Sequence, residues 1–450
     1  MHNLLLQASQ VFTPNDFPAW TYVERQDNFD RNVLYGLKIP NMIISISGPS
    51  KSGKSVLLQK VVGKDHLIRI FGPQITESDD VWSAVLDWMG TPTSSTTQDT
   101  QTSTESNIIG GQGSLGLPGT VNVSGKLETT AAQAKASTKS RTSGRSGLRQ
   151  VQHEIGTSEY VVFVDDFHYI PREIQVEVAK QLKAATEMGI KICTASVPHR
   201  SDDVVRANSE LRGRVQAVDM AFWSENELQE IGVRGFPMLN MDVAQTFVAR
   251  LAIEACGSPQ LMQSLCLQTC FRCNVFEKYS TMTNISISDD DFKRILETTS
   301  TTADFSTLVE TMHVGPKLRG QERKEFEFVD GSVGDVYRAV LLALASTPPL
   351  MSLTYKSLLG RIAAVCADQS RIPVGSSISE ACTQIDKIAK RSVAVDTGIQ
   401  GLQPIEWDTT TDVENLHIAE PYFLFYLRAS TKLNSLGVLK GDQSGSLGAA

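Results

Sequence analysis

Eight consecutive residues, Gly48-Pro49-Ser50-Lys51-Ser52-Gly53-Lys54-Ser55, constrain this chain more than any other feature. Glycines at the first and sixth places let a loop turn its backbone N–H groups inward. A helix starting at once adds its positive end, and the product is a cradle for phosphate. The flanks fit this reading: residues 43–47 form a short, β-branched run typical of a buried strand, and 52–62 has helical spacing. In such a strand–loop–helix, Lys54 reaches the β- and γ-phosphates of a nucleotide and the Ser55 hydroxyl ligates Mg²⁺. Gly48, Pro49, Ser50, Lys51, Ser52, Gly53, Lys54, Ser55 and Val56 are therefore the expected nucleotide-binding residues, with ATP and Mg²⁺ as the expected ligands.

A second stretch, Val161-Val162-Phe163-Val164-Asp165-Asp166, complements the first. An apolar strand ending in acids is how P-loop folds place a carboxylate beside Mg²⁺. Asp165 is the expected metal-side acid, and Asp166 is placed to polarise an attacking water.

Further strands are expected at 67–71, 160–164, 191–196 and 215–220, with helices at 27–36, 79–89, 171–188 and 204–212. Strands alternating with helices predict an α/β fold with a parallel sheet covered on both faces. Residues 225–299 read as helical only, which suits a small lid. After a charged, glycine-containing linker at 315–331, helices at 335–345, 355–367 and 378–390 precede a strand-rich stretch at 393–418 and an apolar run at 422–427. Three helices followed by a hairpin suggest a winged helix. The expected units are 1–223 (nucleotide-binding domain), 224–314 (lid), 315–429 (winged helix) and 430–450 (tail).

Composition breaks at 91–147, where Ser, Thr and Gly dominate and little could form a core. An island at 117–127 alternates well enough for a small hairpin. Nearby Lys126, Lys135, Lys139, Arg141, Arg145 and Arg149 face Glu128 alone, the one clearly basic stretch in a chain of net charge −8. Elsewhere that acidity argues against general coating of DNA, since phosphate binding needs concentrated Lys and Arg. The helix at 378–391 ends in Lys387, Lys390 and Arg391, as a DNA-reading helix could. The wing beyond it carries Asp396, Glu406, Asp408, Asp412 and Glu414, so DNA and protein docking are equal expectations.

Seven cysteines with irregular spacing make no disulfide framework, and Cys266, Cys270 and Cys273 read as core thiols on one helical face. No apolar run approaches the roughly 20 residues a membrane span needs, and the N-terminus has no secretory pattern. The expected location is cytoplasmic, with no membrane partner.

From Pro14 to Leu427, apart from the insertion, the chain resembles the AAA+ ATPases. The likeness is nearest to the branch holding origin-recognition initiators, transposon target-selection ATPases and archaeal-type ATPases with a winged helix. The resemblance implies a P-loop AAA+ domain with a helical lid and a C-terminal winged-helix domain, an ATPase activity and a homo-oligomer, ring or filament. It implies roles for further residues. Tyr22 and Arg25 would lie on an adenine-side arm. Ser196, with Thr194 second, would be the polar sensor between the phosphate and the sheet. Arg212 or Arg214, with weaker support for His199-Arg200, would complete a neighbouring subunit's site. Pro259 and Gln260 fall where many relatives have Gly-x-Pro-Arg, and the neutral Gln260 would pull less on the γ-phosphate. Asp166 stands where many relatives have Glu, which implies slow hydrolysis. His168 is expected to pack rather than to contact phosphate, and Trp82 and Trp88 to be core and rim aromatics. In ring-forming relatives the insertion approaches the central channel, where its basic stretch could meet a polyanion or a partner.

Three functions follow. The first is an oligomeric switch coupling nucleotide state to assembly and partner recruitment, with a bacterial anti-phage or mobile-element setting by analogy. The second is a loader or target selector assembling on duplex DNA, and the third a scaffold that binds ATP without turning it over.

Overall fold

Five apolar runs assemble side by side into one parallel sheet: β1 (Ile43–Ser47), β2 (Leu67–Phe71), β3 (Val161–Asp165), β4 (Lys191–Ser196) and β5 (Val215–Asp219). The computed structural model describes residues 5–91, 94–100, 138–144, 147–197, 211–317, 323–397, 403–409 and 414–439. The sheet order is β2-β3-β4-β1-β5, parallel throughout. Every residue of β1 and β3 is buried, as continuous Val/Ile runs require when helices cover both faces. On one face Trp82, Val85, Val151, Ile155, Val178 and Leu182 pack from the helices Asp80–Trp88, Leu148–Ile155 and Arg172–Glu187. On the other, Phe29, Val33, Leu57 and Leu58 pack from Phe29–Gly36 and the P-loop helix Lys54–Val62.

The remaining core is continuous. Residues of the N-terminal arm (Ala8, Val11, Phe12, Val23), the lid helices and the C-terminal module form a single apolar cluster. Lid and C-terminal module therefore share one core, with the arm packed onto it. Gln263 of the lid helix Pro259–Arg272 fixes the arm, accepting from Thr13 N at 3.2 Å and donating to Thr21 Oγ1 at 2.7 Å. The molecule thus has a sheet body and a lid body, and the chain crosses between their cores near 24–28 and 221–227. Arg25 links the crossings: its guanidinium donates to Ala221 O, Phe222 O and Glu227 Oε1.

Several details depart from the sequence expectations. The region 225–299 is not helical only, because Met241–Val243 pairs in parallel with Thr283–Ile285. Strands of three residues are too short to show a period. The third helix of the C-terminal module runs Gly375–Thr397, so 393–397 and Asp396 belong to helix rather than wing. Ser352–Thr354 precedes the second helix and joins Asn415–Ile418 and Ile405–Asp408 in an antiparallel sheet, giving winged-helix topology. Part of the expected tail folds back: Lys432–Ser435 is helical, and Val438–Leu439 pairs with Ser332–Gly334. Within the insertion, Ser94–Thr100 forms an antiparallel ribbon with Thr138–Gly144, which places Lys139 and Arg141 on a strand. The island at 117–127, and most of the helix expected at 204–212, lie outside the described residues.

Candidate functional site

The P-loop geometry follows from its sequence. A side chain at Gly48 would bring its Cβ to 2.9 Å from Met220 Cβ, so only glycine fits as the loop leaves β1. Gly53 has φ +93°, where L side chains are strained. Lys54, buried at the start of its helix, donates at 2.8 Å to both Gly48 O and Pro49 O and so braces the loop. Burial pushes its ammonium pKa down, while Asp165 and Asp166 oppose the shift.

Strand register brings the acids to the same place. Ser55 Oγ donates to Asp165 Oδ2 at 2.9 Å, so the two expected Mg²⁺ ligands are already in contact. The same oxygen accepts from Arg69 Nε at 3.0 Å and Nη2 at 2.5 Å. Sequence reasoning passed over Arg69, yet β2 pairs with β3 so that Phe71 lies opposite Asp165. The period of two then sets Arg69 on the same face as Phe71. Asp166 adopts a left-handed backbone, φ 55°, and its N–H donates to Asp165 Oδ1 at 3.0 Å. Burial, then the Asp165 charge, pushes the Asp166 carboxyl above the usual aspartate range.

Thr194 and Ser196 lie buried on β4, directly beside β1. Among the described residues Thr194 Oγ1, Ser196 Oγ and Ser52 Oγ have no hydrogen-bond partner. Buried hydroxyls rarely stay unpartnered, since each costs about 1–3 kcal/mol. Neither Thr194 nor Ser196 lines the cavity over the loop, whereas Ser52 does, and its orphaned hydroxyl beside a Ser–Asp pair is what a nucleotide with its metal ion would satisfy. The residues present therefore fit ATP and Mg²⁺.

A cavity of about 650 Å³ opens over the loop, lined by Ser50–Leu57 residues, Asp165, Asp166, His168, Tyr22, Arg25, Trp223, Pro259, Gln260 and Glu420. That volume lies within the range of small-molecule sites. At its arm end Phe17 and Tyr22 stack with centroids 5.9 Å apart, and Lys60 Nζ stands 5.2 Å from the Tyr22 ring. The Tyr22 hydroxyl donates to Asp30 Oδ1 at 2.6 Å; burial, then this bond, pushes its pKa up. Arg25 lines the cavity from the arm side. Its guanidinium is consumed by Glu227 and two carbonyls and flanked by Phe29 and Trp223, so it braces the pocket wall.

From the lid, Pro259 opens the helix that abuts the P-loop and Gln260 Nε2 donates to Asn15 Oδ1 at 2.8 Å. Trp223, another residue the sequence did not single out, donates through Nε1 to Ser52 O at 2.9 Å. The C-terminal module supplies Glu420, whose Oε2 accepts from Ser50 Oγ at 3.0 Å. No local signal marks Glu420, 370 residues away in sequence from its partner.

The two finger candidates separate. Arg214 pairs with Glu187, whereas Arg212 is exposed and has no partner among the described residues. Neither lines its own chain's cavity, and His199 and Arg200 lie outside the described residues. His168 is buried against Tyr169 at the turn after β3, on the cavity wall. Trp82 is buried and Trp88 sits on the rim. Cys266 and Cys270 are buried in the lid core, which pushes their thiol pKa values up.

No family model and no curated protein matches the chain. Among solved structures it is similar to ORC2 of Aeropyrum pernix in its ADPNP–ADP complexes, at 11% identity and TM-score 0.48, over 96% of this chain and 99% of that one. It is similar to the Walker-type ATPase paby2304 of Pyrococcus abyssi at 15% identity and TM-score 0.46, over 90% and 96%. Cdc6p of Pyrobaculum aerophilum matches at 10% identity and TM-score 0.41, over 96% and 99%. The fold assignment rests on this chain's own features. Its sheet order, P-loop, strand-end acids and lid define an α/β P-loop fold of the AAA+ kind, and the C-terminal module is a winged helix. Among the described residues no helix is long and apolar enough to cross a membrane.

Proposed function

We propose that this chain binds ATP with Mg²⁺ in the cavity over the P-loop and hydrolyses it as part of a homo-oligomer. The observation that carries the reading is the contact between Ser55 and Asp165 beside Lys54, with the Ser52 hydroxyl unpartnered in the same cavity. Phosphoryl transfer needs positioning and charge more than covalent help from the protein. Mg²⁺, when bound, would supply positive charge to the phosphates. Ser55 and Asp165 would hold it, and Arg69 would yield the carboxylate oxygen it shares with Ser55. Lys54 exchanges its two carbonyls for phosphate oxygens. Asp166 orients a water and takes its proton, a task its raised pKa suits. Ser196 donates to the same water or to the terminal phosphate.

Arg212 is the residue we assign to the neighbouring subunit's site, because Arg214 is already paired. An arginine supplied in trans stabilises charge on the transferring phosphoryl group. Nucleotide state would then be coupled to assembly and to recruitment of a partner. A slow or silent ATPase is the second reading, favoured by Gln260, which is neutral and bonded to Asn15. The DNA-loading reading draws less support: Lys390 pairs with Asp386, and Arg391 lines a cavity of about 1050 Å³ between lid and winged helix.

The test is ATP turnover over a protein concentration series, with and without duplex DNA, for wild type, Arg212→Ala and Arg214→Ala. Turnover per chain should rise steeply with concentration and collapse in Arg212→Ala, while Arg214→Ala stays near wild type. Near-zero turnover under every condition, with ATP still bound, would leave only the scaffold.

A further inference from the structure

Among the described residues, Glu420 is the one acidic side chain that the C-terminal module inserts into the cavity over the P-loop. Its two oxygens do different things. Oε1 accepts from Tyr422 N at 3.3 Å and caps the helix Pro421–Ala429, while Oε2 accepts from Ser50 Oγ at 3.0 Å. The Tyr422 hydroxyl lies 3.4 Å from Ser264 Oγ on the lid helix, so the start of this helix is seated against the lid. Burial pushes the Glu420 carboxyl above the usual glutamate range, while the Lys51 and Lys54 charges oppose that shift.

Ser50 is the third residue of the loop. The backbone N–H groups near the helix start cradle the α- and β-phosphates, so a further phosphate extends toward the loop's beginning, where Ser50 and Lys51 stand. A carboxylate there seeks the same hydroxyl and ammonium groups as a terminal phosphate. The two anions repel each other across a partly desolvated gap. A diphosphate leaves that end of the loop free for Glu420, and a triphosphate does not.

We infer that Glu420 sets this pocket's discrimination between nucleoside di- and triphosphates, as a carboxylate that the terminal phosphate must displace from Ser50. This rests on the nucleotide-binding reading above. Because Glu420 belongs to a module sharing one core with the lid, its displacement moves the lid body as a unit. Glu420 thereby converts the presence of a terminal phosphate into separation of the winged helix from the P-loop.

The test uses the full chain and measures equilibrium affinity for ADP and for a non-hydrolysable ATP analogue, each with Mg²⁺, in wild type, Glu420→Gln and Lys54→Ala. Glutamine keeps the helix cap and removes the charge, and a thermal melt confirms that the variant is folded. Glu420→Gln should bind the triphosphate tighter by on the order of tenfold, the size expected for relieving two screened neighbouring anions, and ADP within about twofold of wild type. Hydrogen exchange in wild type should show the Pro421–Ala429 helix loosening with the triphosphate analogue and not with ADP. If Lys54→Ala loses both nucleotides yet Glu420→Gln shifts both affinities equally, or weakens the triphosphate, the P-loop reading stands and Glu420's role is overturned. If Lys54→Ala binds both like wild type, the P-loop reading itself falls and takes this inference with it.

Discussion

The sheet body and the lid body meet at one cavity but equip it in opposite ways. The sheet body contributes contiguous segments: the loop from Gly48 to Ser55, the acids ending β3, and the hydroxyls of β4 that strand register sets beside β1. Asp165, Thr194 and Ser196 sit on buried strands, and the loop and turn carrying the rest spring directly from strand ends. The lid body contributes single side chains from distant places, among them Tyr22, Pro259, Gln260 and Glu420. None of these forms a catalytic set with another. The contrast separates a half whose candidate residues are placed by strand register from a half whose residues reach the cavity by docking.

The largest effect should come from the residue joining the halves. Arg25→Ala strands Glu227 and frees two hinge carbonyls. Breaking one side of a buried ion pair costs about 3–5 kcal/mol, and calorimetry should show the lid body melting ahead of the sheet body. A single transition close to the wild type's would break the two-body picture. Next comes Asp166→Asn within the rigid half, which should lower turnover about 100- to 1000-fold while nucleotide affinity stays within a few fold. In the wild type, turnover should rise with pH through the Asp166 titration, because the base must be ionised. That acid limb should lie above the ordinary aspartate range, since burial raises this pKa; a variant keeping the same limb would show that another group sets it.

A smaller effect is expected where the lid touches the loop. Trp223→Phe removes one hydrogen bond to Ser52 O, worth about 1 kcal/mol, and should weaken nucleotide binding several-fold without changing the sheet body's melting. Smallest of all, Arg214→Ala deletes a half-exposed ion pair and should change stability by less than about 1 kcal/mol. A larger loss of activity in Arg214→Ala than in Arg212→Ala would reverse the finger assignment.

The same division decides what could be read from sequence. The P-loop and the β3 acids are local patterns, and the five sheet strands followed from short apolar runs between helices. Thr194 and Ser196 came with a family resemblance, and register then placed them beside β1. Arg69 was missed because its role depends on which strand neighbours β3. Trp223, Asn15 and Glu420 depend on how one body docks on the other, and no periodicity encodes that. Arg25 carried an adenine-side role by resemblance, and its bonds to Glu227 and two carbonyls depend on the same docking. The helix Leu148–Ile155 escaped notice for a different reason: it follows directly on a Ser/Thr/Gly tract whose composition hides an amphipathic turn or two.

Arg25 touches both places where the chain passes from one body to the other. Two links clasped at one point act as a pivot, so relative motion of the bodies is rotation rather than translation. Displacement then grows with distance from that pivot. Near Phe29, which neighbours it, even a sizeable swing moves atoms little. The winged helix shares the lid's core, so any swing about that pivot would carry it along. A swing of the lid would thus be shared by the winged helix without unfolding either.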